Sequence, residues 1–311
     1  MPSTTVVVVT WRGAEHIAEC LDALAAQDRP HRILVVDNAS TDGTTRLLAA
    51  HPAAPEVLRL PRNAGYAGGI AAALPRVRTP LLAWLNDDAA PGPGWLAALE
   101  DAMRPGVAAV ASRLEHPDGT VQSLGVRLTA DGHGADLRAL PAGTDPFGFC
   151  GGAVLLRTAA LRNAGGVPAR FFCYYEDTDT AWRLRLAGGR VVAAPDAGQA
   201  PGTAVRHRHG ASTVPGSARF HRWNERNRLL MLLRCAPAPV ALRELARFAA
   251  RTLVLPVRTS KPDAANFRFG LRCRVLAEVG ALLPATLLAR RAIGRRANVG
   301  RTEVWRTWAR G

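Results

Sequence analysis

The sequence has few cysteines, and none of them is placed for a disulfide framework or a zinc site. The 311 residues include five cysteines that are widely scattered and never form a C-x-x-C pair. An odd and scattered set argues against a small secreted fold held together by disulfides, and against a structural zinc site. A reducing cytoplasm is therefore the expected compartment. The cysteines are Cys20, Cys150, Cys173, Cys235 and Cys273.

Long apolar runs are also missing. Residues 6–9 form a run far shorter than the apolar core of a secretory signal, and no basic segment precedes it. The longest apolar stretch, residues 275–289, is interrupted by Glu278 and Pro284 and is shorter than the roughly 20 residues that a transmembrane helix needs. We therefore expect no signal peptide and no membrane span, and a protein that is soluble or peripheral on the inner face of the cell membrane.

Acidic residues are scarce in the last third of the chain. Residues 1–200 contain 18 basic and 20 acidic residues, whereas residues 201–311 contain 22 and 5, and all but one of the 40 basic residues are arginine. A hydrophobic fraction of 48% indicates a globular chain with one large core. We expect a catalytic body over residues 1–215 and a basic, mainly helical region over residues 216–311 that packs on it.

The basic region has three interpretations. Its apolar spacing, its arginines, and Trp305 and Trp308 fit an interfacial helix on an anionic membrane surface. A solvated face that covers the catalytic body fits the same pattern. Binding of nucleic acid ranks third, because no recognised nucleic-acid-binding module accompanies the charge, and no specific nucleic acid is expected.

Short β-branched runs alternate with amphipathic stretches over the first hundred residues. This alternation is typical of βαβ units and predicts an α/β fold with a mostly parallel sheet and flanking helices. Residues 129–148, rich in Gly, Ala, Asp and Pro, are predicted to form a flexible surface loop. The predicted strands are residues 6–10, 32–36, 56–60, 80–85, 107–112, 153–157 and 190–194. The predicted helices are residues 17–27, 44–50, 69–77, 94–103, 158–163 and 178–187, with further helices from residue 218 onward.

Two acidic clusters lie at the ends of predicted buried segments. Asp87 and Asp88 close one apolar run, and Glu176, Asp177 and Asp179 follow another. Mg²⁺ and Mn²⁺ prefer hard oxygen ligands and commonly use one or two carboxylates together with substrate phosphates. A single carboxylate suffices as the general base that takes a proton from an acceptor hydroxyl. The two clusters therefore predict one metal site and one general base.

Other polar residues follow the predicted strands. Asp37 and Asn38 end the second strand, and residues 62–66 follow the third. In an open parallel sheet, ligands bind at the carboxyl ends of the strands, so these groups are expected to face one crevice with Asp87 and Asp88. An Asp after the second strand can accept hydrogen bonds from a nucleobase or ribose, and glycines from Gly65 onward let the backbone approach a phosphate. Each group alone also fits a turn or a helix cap.

An ordered series of motifs resembles glycosyltransferase family 2, most closely its rhamnosyltransferase-like branch, over about residues 4–235. The segments are VVVVTW at 6–11, VVDNASTDGT at 35–44, RNAGYAGG at 62–69, LNDDA at 85–89, FCGGA at 149–153, GG at 165–166, FFCYYEDTDTAWR at 171–183 and VRHRHGAS at 205–212. The resemblance implies a GT-A fold and inverting transfer from a nucleotide-sugar with Mg²⁺ or Mn²⁺.

The resemblance also implies roles for individual residues. Asp177 is similar to the family's general base, and Asp88 and His207 resemble its metal ligands. Asn86 replaces the first residue of the usual D-x-D element and Asp87 is acidic at its middle position, so the choice between Asp87 and Asp88 as the metal ligand stays open. The implied nucleotide-sugar contacts are Thr10, Trp11, Asp37, Asn38, Arg62, Asn63, Gly65, Asn86, Asp87, Gly151 and Gly152.

Four further residues near the predicted base have two interpretations. Asp179 fits a residue of the first helical turn that the helix dipole favours, and Trp182 and Arg183 fit packing and an ion pair, although the Arg could also reach a phosphate. Glu176 is a second candidate for the base. His209 competes with His207 for the metal role.

We therefore expect an inverting glycosyltransferase that moves a sugar from a nucleoside-diphosphate sugar, such as dTDP-rhamnose or a UDP-sugar, to a saccharide hydroxyl. The expected acceptor is a cell-envelope or polyprenol-linked glycan. Two alternatives remain at this point: a sugar-phosphate nucleotidyltransferase, disfavoured because no Gly-rich loop with Arg follows the first strand, and a non-catalytic nucleotide-sugar or nucleic-acid binding protein.

Overall fold

A seven-stranded sheet forms the centre of the protein in the computed structural model, which describes residues 2–194, 202–208, 214–257 and 262–309. Its strand order is β12-β6-β11-β4-β1-β2-β3, and only β11 runs antiparallel to its neighbours. The α/β prediction with a mostly parallel sheet is therefore confirmed. The strands are β1 (Thr4–Thr10), β2 (His31–Asp37), β3 (Glu56–Arg59), β4 (Leu81–Asn86), β6 (Val107–Ala111), β11 (Ala153–Arg157) and β12 (Arg190–Ala193).

Helices cover both faces of this sheet. Every residue of β1 is buried, as expected for a parallel strand enclosed on both sides, and this is why the run reads as continuous valine rather than as an alternating pattern. The helices of the body are α1 (Ile17–Ala25), α2 (Thr44–Ala50), α3 (Gly65–Ala73), α4 (Trp95–Ala102), α5 (Thr158–Asn163) and α6 (Glu176–Leu186).

The reversed direction of β11 brings the residues before it to the end of β4. Because the two strands are antiparallel, the start of β11 meets the carboxyl end of β4, and the Asn86 amide donates to the Gly152 carbonyl at 3.0 Å. The Gly151-Gly152 pair therefore lies at the same sheet edge as Asp87 and Asp88.

A small second sheet builds out from that edge. In it β13 (Val205–His207) pairs with β5 (Ala89–Pro91) and with β7 (Leu114–Glu115), which pairs in turn with β8 (Val121–Ser123). The register places His207 opposite Ala89, directly after Asp88. A separate two-stranded sheet pairs β9 (Val126–Leu128) with β10 (Gly134–Asp136).

The C-terminal region packs onto the body through its first helix. Buried residues of α7 (Ala218–Cys235), including Leu229 and Leu232, belong to the same hydrophobic cluster as Trp84 of the central sheet and Trp182 of α6. Within the described ranges, none of the helices is long and apolar enough to cross a bilayer. The remaining helices are α8 (Ala238–Val254), α9 (Phe269–Arg296) and α10 (Arg301–Trp308).

The predicted strands and helices are all present, three with the predicted bounds and the others with shifted ends, but the predicted loop at residues 129–148 is wrong in part. This segment contains β10, and its Phe147 is buried against Trp182 at a ring-centroid distance of 5.7 Å. The short strands β5, β7, β8, β9, β10 and β13 were not predicted, since two or three residues are too few to show a periodicity.

A buried ion pair joins α6 to α7, and its removal is expected to destabilise the fold. Asp179 is fully buried and contacts Arg183 at 2.6 Å and Arg234 at 2.9 Å. Asp179→Asn leaves two arginines without their counter-charge, so we expect unfolding free energy to fall by about 3–5 kcal/mol. Urea denaturation measures the change. The matched control is Asp101→Asn in the exposed Arg29 pair, with an expected cost below about 1 kcal/mol; equal losses would contradict the structural role.

Candidate active site

Asp87 and Asp88 directly follow β4, and their side chains have different surroundings. The Thr10 hydroxyl and the Asp87 carboxylate both lie against Gly13, where a Cβ atom would be 2.3 Å from Thr10 Oγ1 and 2.5 Å from Asp87 Oδ2. Burial, together with the neighbouring Asp88 charge, raises the pKa of Asp87 to about 6, although the Thr10 hydroxyl and His16 act in the opposite direction. The Asp87 side chain therefore lies beside Thr10, the last residue of β1.

Asp88 instead pairs with His207. Asp88 Oδ1 is 3.1 Å from His207 Nε2, and Asn86 Nδ2 is 3.0 Å from the same nitrogen. On the other side of the ring, His207 Nδ1 is 3.0 Å from Gln122 Oε1. Burial acts to raise the pKa of Asp88, but the hydrogen bond and charge of His207 outweigh it and lower that pKa.

This pair has the chemistry of a divalent-metal site. If Nδ1–H donates to Gln122, the Nε2 lone pair accepts from the Asn86 amide at 3.0 Å and also faces Asp88 Oδ1 at 3.1 Å. A cation between Nε2 and Oδ1 would relieve the repulsion of these two electron-rich atoms. Two adjacent ligands of one Mg²⁺, each at about 2.1 Å, are themselves about 3 Å apart. Among the residues that the structure describes, no three His, Cys, Asp or Glu side chains converge, so a metal here would need further ligands from a substrate.

A cavity of about 160 Å³ adjoins the Asp88–His207 pair. His16, Arg206 and Arg208 also line it, together with Glu19 and Asp88. Glu19 pairs with Arg206 at 3.5 Å and with Arg208 at 2.7 Å. The wall therefore carries charges of both signs next to the candidate metal ligands.

The predicted base, Asp177, lies in the first turn of α6. Its Oδ2 accepts from the Gly151 amide at 2.9 Å, and its Oδ1 accepts from the Thr178 amide and hydroxyl. Burial raises the pKa of Asp177 even though these hydrogen bonds lower it. The result is a half-buried carboxylate, held in place and more basic than an exposed aspartate.

Glu176, directly before Asp177, is the more deeply buried of the two. Its Oε2 has no hydrogen-bond partner among the described residues. Burial, and then the Asp177 charge, raise the pKa of Glu176 to about 8. Glu176 is therefore mostly protonated at neutral pH and cannot accept a proton there, which favours Asp177 as the base.

The Gly151-Gly152 pair lies between the base and the metal pair. A Cβ atom on Gly151 would be 3.4 Å from Asp177 Cβ, and one on Gly152 would be 3.3 Å from His207 Cε1. Adjacent Cα atoms are about 3.8 Å apart, so one peptide unit separates the two groups. A Cβ on Gly152 would be tight against His207, whereas one on Gly151 would be in ordinary contact with Asp177, so both groups lie against the same stretch of backbone.

A left-handed segment leads into the base. Phe172, Tyr174 and Tyr175 all have positive φ, at 68°, 73° and 67°. Such conformations are costly for residues other than glycine and persist only where the surroundings hold them. Asn227 of α7, fully buried, supplies that support: its Nδ2 lies 2.8 to 3.0 Å from the carbonyls of Phe171, Cys173 and Tyr174.

Asp37 and Asn38 are engaged by the protein itself. Asp37 accepts from the Ser40 amide at 2.8 Å and from Arg59 at 2.6 Å, with no exposed surface. Asn38 bonds to the Ala64 amide and to the Gly65 carbonyl at 2.8 and 3.0 Å. These contacts position the loops around the crevice; direct contact of Asp37 or Asn38 with a nucleotide stays a prediction.

The other predicted nucleotide-sugar contacts have mixed surroundings. Trp11 and Arg62 are exposed, and Asn63 Oδ1 accepts from the Gly65 amide. Gly65 has a positive φ of 74° and faces Phe172, whose carbonyl would be 2.2 Å from a Cβ atom, so its missing side chain is explained by packing. The roles of these residues in sugar-donor binding stay predictions.

Three of the four secondary candidates lie in the core. Arg183 is 2% exposed and bonds to Asp179, Thr180 and the Ala164 carbonyl, so it has no route to a phosphate. Trp182 stacks on Trp305 at 5.8 Å. Asp179, Trp182 and Arg183 therefore serve packing. His209, the alternative to His207, lies outside the described residues.

Sequence reasoning missed three residues of this site: Gly13, Gln122 and Asn227. Each contacts a site group that is distant in sequence: Gly13 lies against Asp87, Gln122 bonds to His207, and Asn227 bonds to the left-handed segment. The only signal available was that Asn227 lies two residues before the apolar run Leu229–Leu233 of α7, where a buried amide needs partners.

The site lies at the carboxyl ends of parallel strands, where open α/β sheets bind their ligands, and it combines an Asp–His pair with an acidic helix start. The sequence model of glycosyl transferase family 2 matches residues 5–163, and the chain belongs to this family. It is 31% identical over 227 residues to an N-acetylglucosaminyl-diphospho-decaprenol L-rhamnosyltransferase of Mycobacterium tuberculosis, covering 62% of this chain and 73% of that protein. The glycosyltransferase prediction is confirmed.

Solved structures show the same fold. The mannosyltransferase PcManGT from Pyrobaculum calidifontis, in complex with GDP-Man and Mn²⁺, has a TM-score of 0.56 at 22% identity and covers 99% of this chain and 83% of its own. TarS 1-349 from S. aureus, in complex with UDP-GlcNAc, has a TM-score of 0.55 at 18% identity and covers 95% and 89%. The predicted GT-A fold is confirmed.

The raised pKa of Glu176 predicts a pH-dependent stability. Between the unfolded value of 4.5 and the folded value of about 8, the native state binds more protons at this site, so unfolding free energy falls as pH rises, by up to about 1.4 kcal/mol per pH unit. Glu176→Gln removes this titration. We expect the variant to gain stability over the wild type between pH 5 and pH 8, measured by urea denaturation; parallel curves would contradict the buried, unpaired carboxyl.

Proposed function

We propose that the protein is an inverting, metal-dependent transferase that moves a sugar from a nucleoside-diphosphate sugar to a saccharide hydroxyl. The observation that carries this proposal is the placement of Asp177 and the Asp88–His207 pair on either side of the Gly151-Gly152 backbone. A base and a diphosphate-binding group on one short stretch of backbone suit a displacement at a sugar carbon between them.

Asp88 and His207 would hold a Mg²⁺ or Mn²⁺ ion. When bound, the ion supplies positive charge to the departing nucleoside diphosphate. Gln122 fixes the orientation of the His207 ring. The two related structures solved with a metal or a nucleotide-sugar support this class of sugar donor.

Asp177 would accept the proton of the acceptor hydroxyl as the new glycosidic bond forms. The Gly151 amide and the Thr178 hydroxyl hold its carboxylate in one orientation, and burial makes it a stronger base than a solvated aspartate. Glu176, protonated at neutral pH, leaves Asp177 without an adjacent full negative charge.

For the substrates, we propose dTDP-rhamnose or a UDP-sugar as the sugar donor and a polyprenol-linked or other cell-envelope glycan as the acceptor. The support is the likeness to the mycobacterial rhamnosyltransferase, whose name gives a diphospho-decaprenol acceptor. The relative is similar over 62% of this chain, so the support extends to that share of the protein and not to all of it.

Two isosteric variants separate chemistry from binding. Asp177→Asn keeps the shape and removes the basicity, so we expect transfer to fall by roughly 10²–10⁴-fold while affinity for the sugar donor changes little. Asp88→Asn weakens the metal pair, so both affinity and transfer are expected to fall. Turnover and calorimetric titration of the nucleotide, with Mn²⁺ and with EDTA, measure both. Near-normal transfer by Asp177→Asn would reject it as the base, and metal-independent nucleotide binding would reject the Asp88–His207 site.

We further propose that an apolar tip at the end of α8 and the start of α9 contacts an anionic membrane surface. Leu253 and Val257 are 73% and 76% exposed, and Phe269 is 44% exposed. The Arg272–Thr252 hydrogen bond at 3.0 Å joins these two helix ends. Exposed Arg251 and Arg268 flank the tip, which fits exposed apolar side chains inserting while arginines meet lipid phosphates.

The tip can be tested with vesicles of phosphatidylcholine alone and with added phosphatidylglycerol. Binding of the full chain is expected to rise with anionic lipid and to fall with salt. The double variant Leu253→Ser, Val257→Ser should bind at least about tenfold more weakly, because two apolar side chains no longer insert. Leu47→Ser, at an exposed leucine of α2, is the matched control. Unchanged binding of the double variant, or equal binding to neutral vesicles, would reject the tip.

A further inference from the structure

Four aromatic side chains gather beside the base, from the left-handed segment and from the start of α7. Phe172 lies 4.7 Å from Trp223 between ring centroids, at an interplanar angle of 38°, and Tyr174 lies 5.2 Å from Phe220 in an edge-on contact. All four residues are half-buried. We call this group, Phe172, Tyr174, Phe220 and Trp223, the aromatic platform.

The platform has a fixed place relative to the reacting groups. Tyr174 precedes Glu176 and Asp177 by two and three residues, and the Phe172 ring lies against Gly65, since a Cβ there would be 2.5 Å from Phe172 Cγ. Phe172 and Tyr174 therefore belong to the segment that leads directly into the base.

The positions on α7 separate the platform from the core. Phe220 and Trp223 are three residues apart and share one face of the helix, and both retain exposed surface. The core face of the same helix is formed further on, by Leu229 and Leu232. Asn227 and Arg226 bond the Phe171 carbonyl, which fixes the backbone from which Phe172 projects. The rings are thus preorganised at the surface.

We infer that the aromatic platform binds the sugar ring of the acceptor. This rests on the proposed function, because the acceptor hydroxyl has to lie within hydrogen-bond reach of Asp177. Ligand pockets commonly combine aromatic surface with a few placed polar groups, and the apolar C–H face of a pyranose ring matches the flat face of an aromatic ring. The Trp223 ring contacts Phe172, and the exposed Arg219 guanidinium lies 5.8 Å from its centroid, so the acceptor sugar would take the place of the Arg219 side chain.

The test compares Trp223→Leu with Trp223→Phe in the full chain, with dTDP-rhamnose and a short-chain N-acetylglucosaminyl-diphospho-polyprenol as probes. Loss of the flat ring is expected to raise the acceptor KM by about 5–10-fold. Two further measurements serve for comparison: the KM for the sugar donor, and the rate at which the sugar donor is hydrolysed without acceptor. Both should change less than the acceptor KM. Trp223→Phe keeps a ring and should restore most of the acceptor affinity.

Each outcome decides the inference. If Trp223→Leu keeps the wild-type melting temperature and the acceptor KM does not change, the platform does not bind the acceptor and the inference is wrong. If the same variant still hydrolyses the sugar donor, the proposed function is not affected by that result. A wild-type protein that hydrolyses or transfers neither dTDP- nor UDP-sugars would reject the proposed function instead. If Trp223→Leu lowers the melting temperature, Phe220→Leu at the neighbouring ring takes its place, and an unchanged acceptor KM there has the same meaning.

Discussion

The amide of Asn227 is the interaction on which the site depends most. Its side chain meets three backbone carbonyls of residues 171–174, and the segment that it holds contains three non-glycine residues with positive φ. Left-handed backbone of this kind costs of order 1–3 kcal/mol per residue, so it has to be stabilised by its surroundings. Because α6 begins directly after this segment, the position of Glu176 and Asp177 is set by a helix of the C-terminal region.

A second constraint is the reversal of one strand. An all-parallel sheet would place the start of β11 at the far edge, whereas the antiparallel β11 returns Gly151 and Gly152 to the end of β4. Asp177 lies against Gly151 and His207 against Gly152, where a side chain would be tight. The topology therefore brings the acidic start of α6 near His207 of the second sheet.

The positive charge of the C-terminal region is partly internal. Arg226, Arg228 and Arg290 donate to backbone carbonyls of Phe171, Asp131 and Leu233, and Arg272 lies over the Phe248 ring at 3.8 Å. A planar guanidinium with several donors suits this bridging between helices and loops. Much of the charge asymmetry therefore reflects how the helices are attached, and only the exposed arginines, such as Arg251 and Arg268, remain for a membrane or a substrate.

The local elements followed from the sequence because their signals are local. The pattern that predicts each element lies within the element itself, and the ordered motifs pointed to the family. Examples are the valine run of β1, the helices Thr44–Ala50 and Thr158–Asn163, and the strand Ala153–Arg157. Tertiary structure alone decided which side chains meet. Gln122 orients His207 from 85 residues away, and Asn227 holds the Tyr174 carbonyl from 53 residues away. Such contacts depend on how strands reverse and helices pack, and no spacing along the chain records them.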